Sequence, residues 1–554
     1  MTAAILERPS ASKRLLGLGS VFGKSIRDGR WLALGLGLLY AIIIVATTGQ
    51  IAAEFDTLAE RRAMAAQLGA MPAIFQGMLG APTGIDRLGG LISWRALNFV
   101  PVLYGIWAIV ALAGTLAGEL ANGSLDVVAS TPVARRRLAA EKVLAYVVLL
   151  AVTVTIIGAA TYAATHAFGT VPGDAVTVEA VGGQTAWLFV MILLPGAAAF
   201  AVAPILGRGG ALGAGAAVLL ASWLVASYAA TVPAFDAVSG LSYFALTGGH
   251  RPLAGTWDWP AVGTVAVVAA VLLASGIEVF ARRDMTVPSG GRLPLPRLRI
   301  WVHGPFTRGL GERLPAALAW GGFLGLFGVI LASSADEFVA QISKIPQIVH
   351  MITQFFPDAD VLSAAGFLQL AFFEDGILFV GLAAAAFVGG WASDEADRRL
   401  EVVLAAPISR FEWAVRSAGS VIAALAVSTV ILAGAVAAGT MAVGQDPLRP
   451  ALGVSIVGLY GMAVAGIGLA VGGLARPSLA GPVTLVFGLG TFLFNLVGTI
   501  LDWPDEILDL ALNRHLGRPM IGQFDGPGVA ICVVLAIGGV VLCAVGMRRR
   551  DLGR

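Results

Sequence analysis

Long apolar stretches alternate with short polar stretches along nearly the whole chain. A run of about 20 apolar residues is long enough to cross the hydrocarbon core of a bilayer as an α-helix. The segments that meet this criterion are 31–49, 97–118, 143–166, 185–206, 210–232, 259–280, 315–334, 376–392, 417–441, 451–474, 479–501 and 529–547. The pattern predicts an all-α polytopic membrane protein with 12 transmembrane helices, arranged as two tandem six-helix repeats.

The strongest sign of a repeat is a pair of polar segments, residues 118–142 (first polar segment) and residues 393–416 (second polar segment). When they are aligned with a shift of 275 positions, Leu125 meets Leu400 and Pro132 meets Pro407. Each half also ends its last apolar run with Arg-Arg-Asp and an apolar residue. The sequence therefore predicts one membrane unit that is present twice.

These patterns predict four parts. Residues 1–30 form a cytoplasmic tail with an amphipathic helix in the membrane interface, since basic and apolar positions alternate there. Residues 31–285 form the first six-helix unit, and 286–314 form a cytoplasmic linker with a second interfacial helix. Residues 315–554 form the second six-helix unit.

The distribution of basic residues predicts the orientation. Lys and Arg collect in the cytoplasmic segments of membrane proteins. With twelve spans, 27 of the 36 Lys and Arg residues lie on the face that carries both termini, which leaves nine on the other face. We therefore predict that both termini lie inside, and that the polar segments face the cytoplasm.

Composition excludes several classes of protein. Hydrophobic residues make up 57% of the 554 positions and charged residues 13%, about half the charged share of a soluble domain. Cys532 and Cys543 lie eleven positions apart in one apolar run, too far apart along a helix to form a disulfide. The five histidines show no metal-ligand spacing, and no known catalytic or nucleotide-binding motif is present. We expect a cell-membrane protein that is not an enzyme, binds no metal or cofactor itself, and has no nucleic-acid partner.

Two longer segments, 50–96 and 335–375, are predicted to lie outside at matching places in the two halves. We expect short helices at 52–68 and near 87–95 in the first of them. Two solvated loops would explain the pattern, but the matching positions favour a paired external cap or gate.

The polar segments resemble the cytoplasmic loop of ABC-2-type exporter permeases. The shared pattern is an acidic residue, then an amphipathic stretch that ends in Pro, an apolar residue, Ser or Ala, and Arg. It reads Glu119…Leu125-Asp-Val-Val…Thr131-Pro-Val-Ala-Arg135 in the first segment and Glu395…Leu400-Glu-Val-Val…Ala406-Pro-Ile-Ser-Arg410 in the second. The full-length, fused form is similar to tetronasin and multidrug ABC transporter membrane proteins of actinobacteria.

This resemblance implies that each polar segment contains a coupling helix that docks on a separate ATP-binding subunit. Two copies of that subunit, with their ATP and magnesium, are the implied partners, besides membrane lipids and a hydrophobic or amphipathic small-molecule substrate. The residues implied in coupling are Glu119, Leu125, Asp126, Val128, Pro132, Arg135, Glu395, Leu400, Glu401, Val403, Pro407 and Arg410. The segments differ in their basic residues, Arg135–Arg137 in one and Arg398–Arg399 in the other.

Three other interpretations stay open. The polar segments could be interfacial loops without a partner. The chain could be an ion-coupled secondary transporter with a parallel repeat, although such transporters usually need carboxylate or histidine relays inside the membrane. Glu278, at the cytoplasmic end of its segment, is the only acid in a predicted span. A membrane-embedded enzyme such as a lipid transferase lacks a plausible catalytic cluster.

Overall fold

The computed structural model describes residues 20–69, 76–77, 80–118, 134–230, 232–282, 304–343, 349, 363–396, 400, 407–500 and 503–549. The chain divides into two compact units, Met1–Leu293 and Pro294–Arg554. Each unit is built from long apolar helices joined by short turns and small helical segments. Each is therefore described by itself.

The first unit is centred on one long buried helix. Its helices are α1 (Val21–Glu54), α2 (Leu58–Gly69), α3 (Leu88–Ile92), α4 (Val100–Ala113), α5 (Arg135–Phe168), α6 (Val178–Arg208), α7 (Gly210–Tyr228), α8 (Pro233–Asp236), α9 (Tyr243–Leu246) and α10 (Trp259–Arg282). Helix α6 is the most deeply buried and contacts α4, α5 and α10, while α1 pairs with α5. The outer faces of α1 and α10 stay exposed, as expected for helices that face lipid.

The second unit is also built around a long central helix. Its helices are α11 (Pro305–Ser333), α12 (Ala335–Ile342), α13 (Ala364–Leu368), α14 (Glu374–Ala396), α15 (Arg410–Ala442), α16 (Leu448–Leu474), α17 (Pro477–Ile500), α18 (Asp505–Leu508) and α19 (Gly526–Arg549). Helix α16 is central here and contacts α14, α15, α17 and α19. Two very short antiparallel strands, β1 (Gly517–Arg518) and β2 (Gln523–Phe524), precede α19.

The predicted helical membrane fold is confirmed. In the described part of the chain, ten helices are long and apolar enough to cross a membrane, or twelve spans if each of two bent helix pairs counts as one. All twelve predicted segments fall on these helices and pairs. The chain is a multi-pass membrane protein, whereas the repeat, the orientation and the domain boundaries stay predictions.

Each unit contains a bent pair of helices that together are long and apolar enough to cross a membrane, and the sequence did not indicate the bend. We call each pair the bent span. Segments Leu88–Leu97 and Val100–Leu116 meet at 43°, and Ala364–Phe373 and Gly376–Ala392 meet at 44°. Each outer half ends in a π-helical turn, at Ser93–Leu97 and Gln369–Phe373. Such turns widen the helix locally and often mark functional positions. The short helix expected near 87–95 is present as Leu88–Leu97, and it leads across the bend into α4.

The predicted interfacial helices are not separate elements in the described residues. Helix α1 begins at Val21 and runs without a break to Glu54, and α11 begins at Pro305 and runs through Pro315. Lys24 and Arg27 suggested an end to the span, but long basic side chains at a helix end can reach the interface while the helix continues. The remaining part of the predicted first interfacial helix, residues 12–19, lies outside the described residues.

Helices α6 and α7 are separated by a single turn at Gly207, as the short predicted connection suggested. Gly207 has a φ of 71°, a backbone conformation that side chains with a Cβ rarely adopt. In the second unit α16 ends at Leu474 and α17 begins at Pro477. Both connections therefore reverse the chain within a few residues, at the end of the unit where the polar segment lies.

Candidate functional site: the polar segments and the helix ends around them

Four of the twelve residues implied in coupling have a described side chain: Arg135, Leu400, Pro407 and Arg410. Glu395 belongs to α14, one residue before its end. The others lie outside the described residues: Glu119, Leu125, Asp126, Val128, Pro132, Glu401 and Val403. The docking helices implied for these segments therefore stay predictions.

Both polar segments lead into a long helix whose first residue is arginine. Arg135 begins α5 and Arg410 begins α15, and both side chains are exposed. The positive charge of arginine is not favoured by the helix dipole at this end. The caps differ, because Ser409 accepts a hydrogen bond from the Glu412 N–H at 3.1 Å, whereas Ala134 offers no side-chain cap. The two helices therefore begin at matching positions but are capped by different chemistry.

In the first unit, Glu141 connects the start of α5 to the start of α1. Its Oε2 accepts a hydrogen bond from the Phe22 N–H at 3.1 Å, and its Oε1 accepts one from Arg137 Nε at 2.8 Å. The donor, Phe22 N–H, lies in the first turn of α1, where backbone N–H groups have no partner within the helix. The carboxylate therefore joins two helix ends that are 119 residues apart in the sequence.

Glu278 lies on α10, the last helix of the first unit, and connects it to α5. Its carboxylate lies 2.8 Å from Arg136 Nη2 at the start of α5 and 2.7 Å from Arg282 Nε on its own helix, α10. The Glu278 side chain is 32% exposed and the two arginines are more exposed. We call Glu141 and Glu278 with these partners the carboxylate clips. Together they tie the ends of α1, α5 and α10 around the first polar segment.

In the second unit, apolar side chains pack together next to the polar segment. Leu400 is only 2% exposed and lies in the same buried cluster as Trp391 at the end of the bent span and Trp413 in the first turn of α15. The two indole rings are stacked, with centroids 6.5 Å apart. We call these three residues the apolar clamp. Leu400 was predicted to contact a partner, but its side chain is covered by the chain itself and anchors the second polar segment to the core.

The remaining described residues of the second polar segment follow this anchor. Pro407 is exposed, and Ile408 is half-buried against the same cluster. Pro407 was predicted to end a docking helix, because proline lacks the N–H that a helix needs. Any such helix lies at 401–406, outside the described residues, so this role stays a prediction.

The opposite end of the first unit contains a buried ion pair. Arg61 lies on α2 and Asp174 in the turn between α5 and α6. Arg61 Nη1 is 2.6 Å from Asp174 Oδ1, and the two side chains are 0% and 1% exposed. Arg61 also donates to the Phe55 carbonyl and to Thr170 Oγ1. Buried ion pairs are tolerated only when such additional hydrogen bonds satisfy the charged groups.

Asp174 also caps the outer half of the bent span. Its Oδ1 accepts the Leu88 N–H at 3.1 Å, and its Oδ2 accepts the Val171 N–H at 2.9 Å. Burial by itself would raise the pKa of Asp174, but the hydrogen bonds from Arg61 and from these backbone groups hold it below its usual range. One ionised carboxylate therefore joins α2, the turn after α5 and the start of α3, next to the apolar cluster of Ile51, Ile85, Leu88, Leu91 and Trp94.

The matching place in the second unit has a weaker connection. Asp336, 275 positions after Arg61, accepts a hydrogen bond from Gln445 Nε2 at 3.0 Å between exposed side chains. The outer half of the bent span is capped locally, because Ser363 Oγ accepts the Gly366 N–H at 3.1 Å. Whether the outer segments form a paired cap or gate stays a prediction.

Sequence reasoning missed a repeated hairpin before the last span of each unit. The sequences are Arg251-Pro-Leu-Ala-Gly-Thr-Trp-Asp258 and Arg518-Pro-Met-Ile-Gly-Gln-Phe-Asp525. Both form a 3₁₀ turn followed by a glycine with φ near +85°, and both aspartates cap the following helix. The two hairpin sequences lie 267 positions apart, so they do not match when the two halves are aligned with a shift of 275 positions.

Each hairpin packs against the outer half of the bent span in its own unit. Met520 N–H donates to Gln369 Oε1 at 3.1 Å in the π-helical turn. In the first unit, a Cβ added to Gly89 would lie 2.6 Å from the Leu253 carbonyl oxygen. This close approach explains why glycine is needed in α3, since any side chain would push the hairpin away.

No group of three or more His, Cys, Asp or Glu side chains in the described residues is arranged to hold a metal ion. The charged side chains at the polar segments instead pair with one another, as in the carboxylate clips. These groups are suited to joining helix ends or meeting another protein, because ion pairs hold geometry without performing chemistry.

Fold and site together define a multi-pass helical membrane protein in which the polar segments adjoin several span ends. A family model described as the C-terminal domain of the multidrug efflux system permease Rv1217c matches residues 308–548. The multidrug efflux system permease protein Rv1217c of Mycobacterium tuberculosis (strain ATCC 25618 / H37Rv) is 27% identical over 556 residues. The similarity covers 95% of this chain and 93% of that protein, so the two chains are homologous over their full length.

Proposed function

We propose that this protein is the membrane subunit of an ATP-driven exporter of the ABC-2 type, and that it moves hydrophobic or amphipathic compounds such as drugs out of the cell. The observation that carries the proposal is the full-length similarity to a multidrug efflux system permease. The chain itself hydrolyses nothing. ATP and magnesium belong to two copies of a separate subunit, which bind at the cytoplasmic polar segments.

The arrangement of helix ends supports this site of coupling. In the first unit, the carboxylate clips connect the exit of the polar segment to α1 and α10. In the second unit, the apolar clamp joins the polar segment to the bent span and to α15. A partner that moves either segment therefore acts on two or three helices at once, which is what a transport cycle driven from outside the membrane requires.

Charge distribution inside the spans argues against the secondary-transporter alternative. Among span residues with a described side chain, no Asp, Glu or His is buried. The buried basic residues Lys142 and Arg313 lie near the helix ends, and Lys142 Nζ donates to the Thr115 carbonyl at 3.4 Å. Proton or ion relays normally use carboxylates or histidines within the membrane.

Co-expression with an ATP-binding subunit encoded next to this gene tests the proposal. We expect the two chains to purify together, and the permease to change the rate of ATP hydrolysis by the subunit. Export of a hydrophobic dye from loaded cells should require ATP and should persist when the proton gradient is collapsed. An exporter that works without ATP and stops with the gradient would be the secondary transporter instead.

A further inference from the structure

The carboxylate clips of the first unit depend on a few positions that carry other residues in the second unit. Glu141 aligns with Arg416, Arg136 with Phe411 and, at the shift of 267, Glu278 with Val545. Neither clip can therefore form at these positions in the second unit. There Arg416 pairs with Glu412 on its own helix, 2.7 Å away.

The clips connect elements that local structure does not connect. Arg137–Glu141 and Glu278–Arg282 are ordinary pairs four residues apart on one helix. The same two carboxylates also reach Phe22 on α1 and Arg136 on α5, which are 119 and 142 residues away in the sequence. The pairs four residues apart are sufficient to support each helix. The contacts with Phe22 and Arg136 therefore act on the arrangement of the three helix ends.

We infer that Glu141 and Glu278 are positioning residues that make the cytoplasmic ends of α1, α5 and α10 move as one body with the first polar segment. This inference rests on the proposed function, since it says how that segment transmits motion. It also goes further, because it assigns a charge-dependent link to the first unit and a charge-independent link, the apolar clamp, to the second.

The first test needs no partner subunit. Spin labels are placed at Arg135→Cys on α5 and Val279→Cys on α10, in full-length protein with Cys532→Ala and Cys543→Ala, reconstituted in vesicles of phosphatidylethanolamine and phosphatidylglycerol. We expect one narrow distribution of distances between the two labels, and a broader distribution in protein that also carries Glu278→Gln. A distribution that Glu278→Gln leaves unchanged would overturn the inference.

The second test uses the complete transporter. The double variant Glu141→Gln/Glu278→Gln should bind the ATPase and insert normally, but the dye exported per ATP hydrolysed should fall about two- to five-fold, the size expected for exposed ion pairs. The matched control is Glu312→Gln, which removes a pair with Arg308 within α11 alone and should leave this ratio unchanged.

Reversal of the charges separates positioning from a loss of stability. Arg136→Glu should lower the export ratio, and Glu278→Arg in the same protein should restore it at least in part. A ratio that stays low despite normal thermal stability would refute the proposed link. If wild-type protein binds no ATPase at all, the proposed function fails, and the label distances still decide whether the ends of α5 and α10 are held together by Glu278.

Discussion

At several described positions, charged or polar contacts in the first unit correspond to apolar or exposed contacts in the second. At the polar segments, the first unit has the carboxylate clips and the second unit has the apolar clamp. At the other end, the buried pair Arg61–Asp174 corresponds to an exposed hydrogen bond between Asp336 and Gln445. These contacts are therefore the places where the two units are expected to differ in stability and function.

The helix interior shows the same difference. In the first unit, Tyr40, Tyr104, Trp107 and Tyr146 form a chain of ring contacts across α1, α4 and α5. The Tyr104 hydroxyl donates to the Leu36 carbonyl at 2.6 Å, and the Tyr40 hydroxyl donates to the Ala96 carbonyl. The second unit has a cluster of phenylalanines in this region: Phe323, Phe327, Phe372 and Phe379. Hydroxyl groups therefore fasten the bent span of the first unit at places where the second relies on ring packing.

The buried ion pair should show the largest difference between the units. Asp174→Ala leaves Arg61 charged and buried without its partner, and also removes the cap of α3, so we expect a loss of about 3–5 kcal/mol in unfolding free energy. The matched change Asp336→Ala removes only an exposed hydrogen bond and should cost less than about 1 kcal/mol. Denaturant unfolding of the purified protein measures both. Equal effects would show that the two outer connections are equivalent.

Within the second polar segment, truncating a side chain of the apolar clamp should lower the unfolding free energy most. Leu400→Ala removes a fully buried side chain and leaves a cavity beside two tryptophans, so we expect a loss of about 2–5 kcal/mol. Leu448→Ala is the control, because Leu448 is exposed at the start of α16 and should be close to neutral. Thermal unfolding distinguishes them. A neutral Leu400→Ala would mean that the segment is not anchored there.

The repeated hairpins should respond alike and so sharpen the comparison. Gly255→Ala and Gly522→Ala each place a Cβ on a residue with φ near +85°, which costs about 1–2 kcal/mol for an L-residue. A Cβ at Gly255 meets no atom within 4 Å, so backbone conformation alone is tested there. Gly263→Ala, in open space within α10, should be neutral or stabilising. Different costs at Gly255 and Gly522 would mean that the hairpins are not equivalent.

The smallest expected effect is a pH dependence of the unfolding free energy that comes from His250 in the first unit. His250 is buried beside Trp257 and Trp259, and its Nδ1 accepts the Asp258 N–H at 2.9 Å. Burial lowers the pKa of His250, and the nearby Gly183 carbonyl and Asp258 offset this only in part. The second unit has Gly517 at this position.

Because the unfolded chain binds this proton more readily, stability should fall as the pH drops below about 6.5 toward the folded pKa of His250. His250→Asn should flatten this slope in thermal unfolding between pH 7.5 and 5. An unchanged slope would show that another group titrates. The Asp174 carboxylate, whose pKa is also lowered, contributes only at more acidic pH, since its stabilisation is lost below about pH 4.

Sequence reasoning located the spans because a bilayer imposes a length and an apolar composition that can be read locally. It found Arg135 and Arg410, which begin equivalent helices. It also noted Glu278 as an unusual acid, but the partner Arg136 is 142 residues away and no local pattern indicates that contact. The burial of Leu400 was not foreseen, because an amphipathic stripe next to a membrane looks the same whether its apolar side faces a partner or the core of its own unit; its role in coupling stays a prediction.

The apolar pattern alone determined that this chain is a helical membrane protein, because each helix must satisfy its backbone hydrogen bonds within itself. Each predicted span overlaps a described helix or bent pair, although several of these begin about ten residues before the predicted start. Only the tertiary structure decided where the second spans bend, how Asp174 caps one of them from another loop, and which helix ends share a carboxylate. Those features depend on distances between residues that are far apart in sequence, and they arise only when the helices pack.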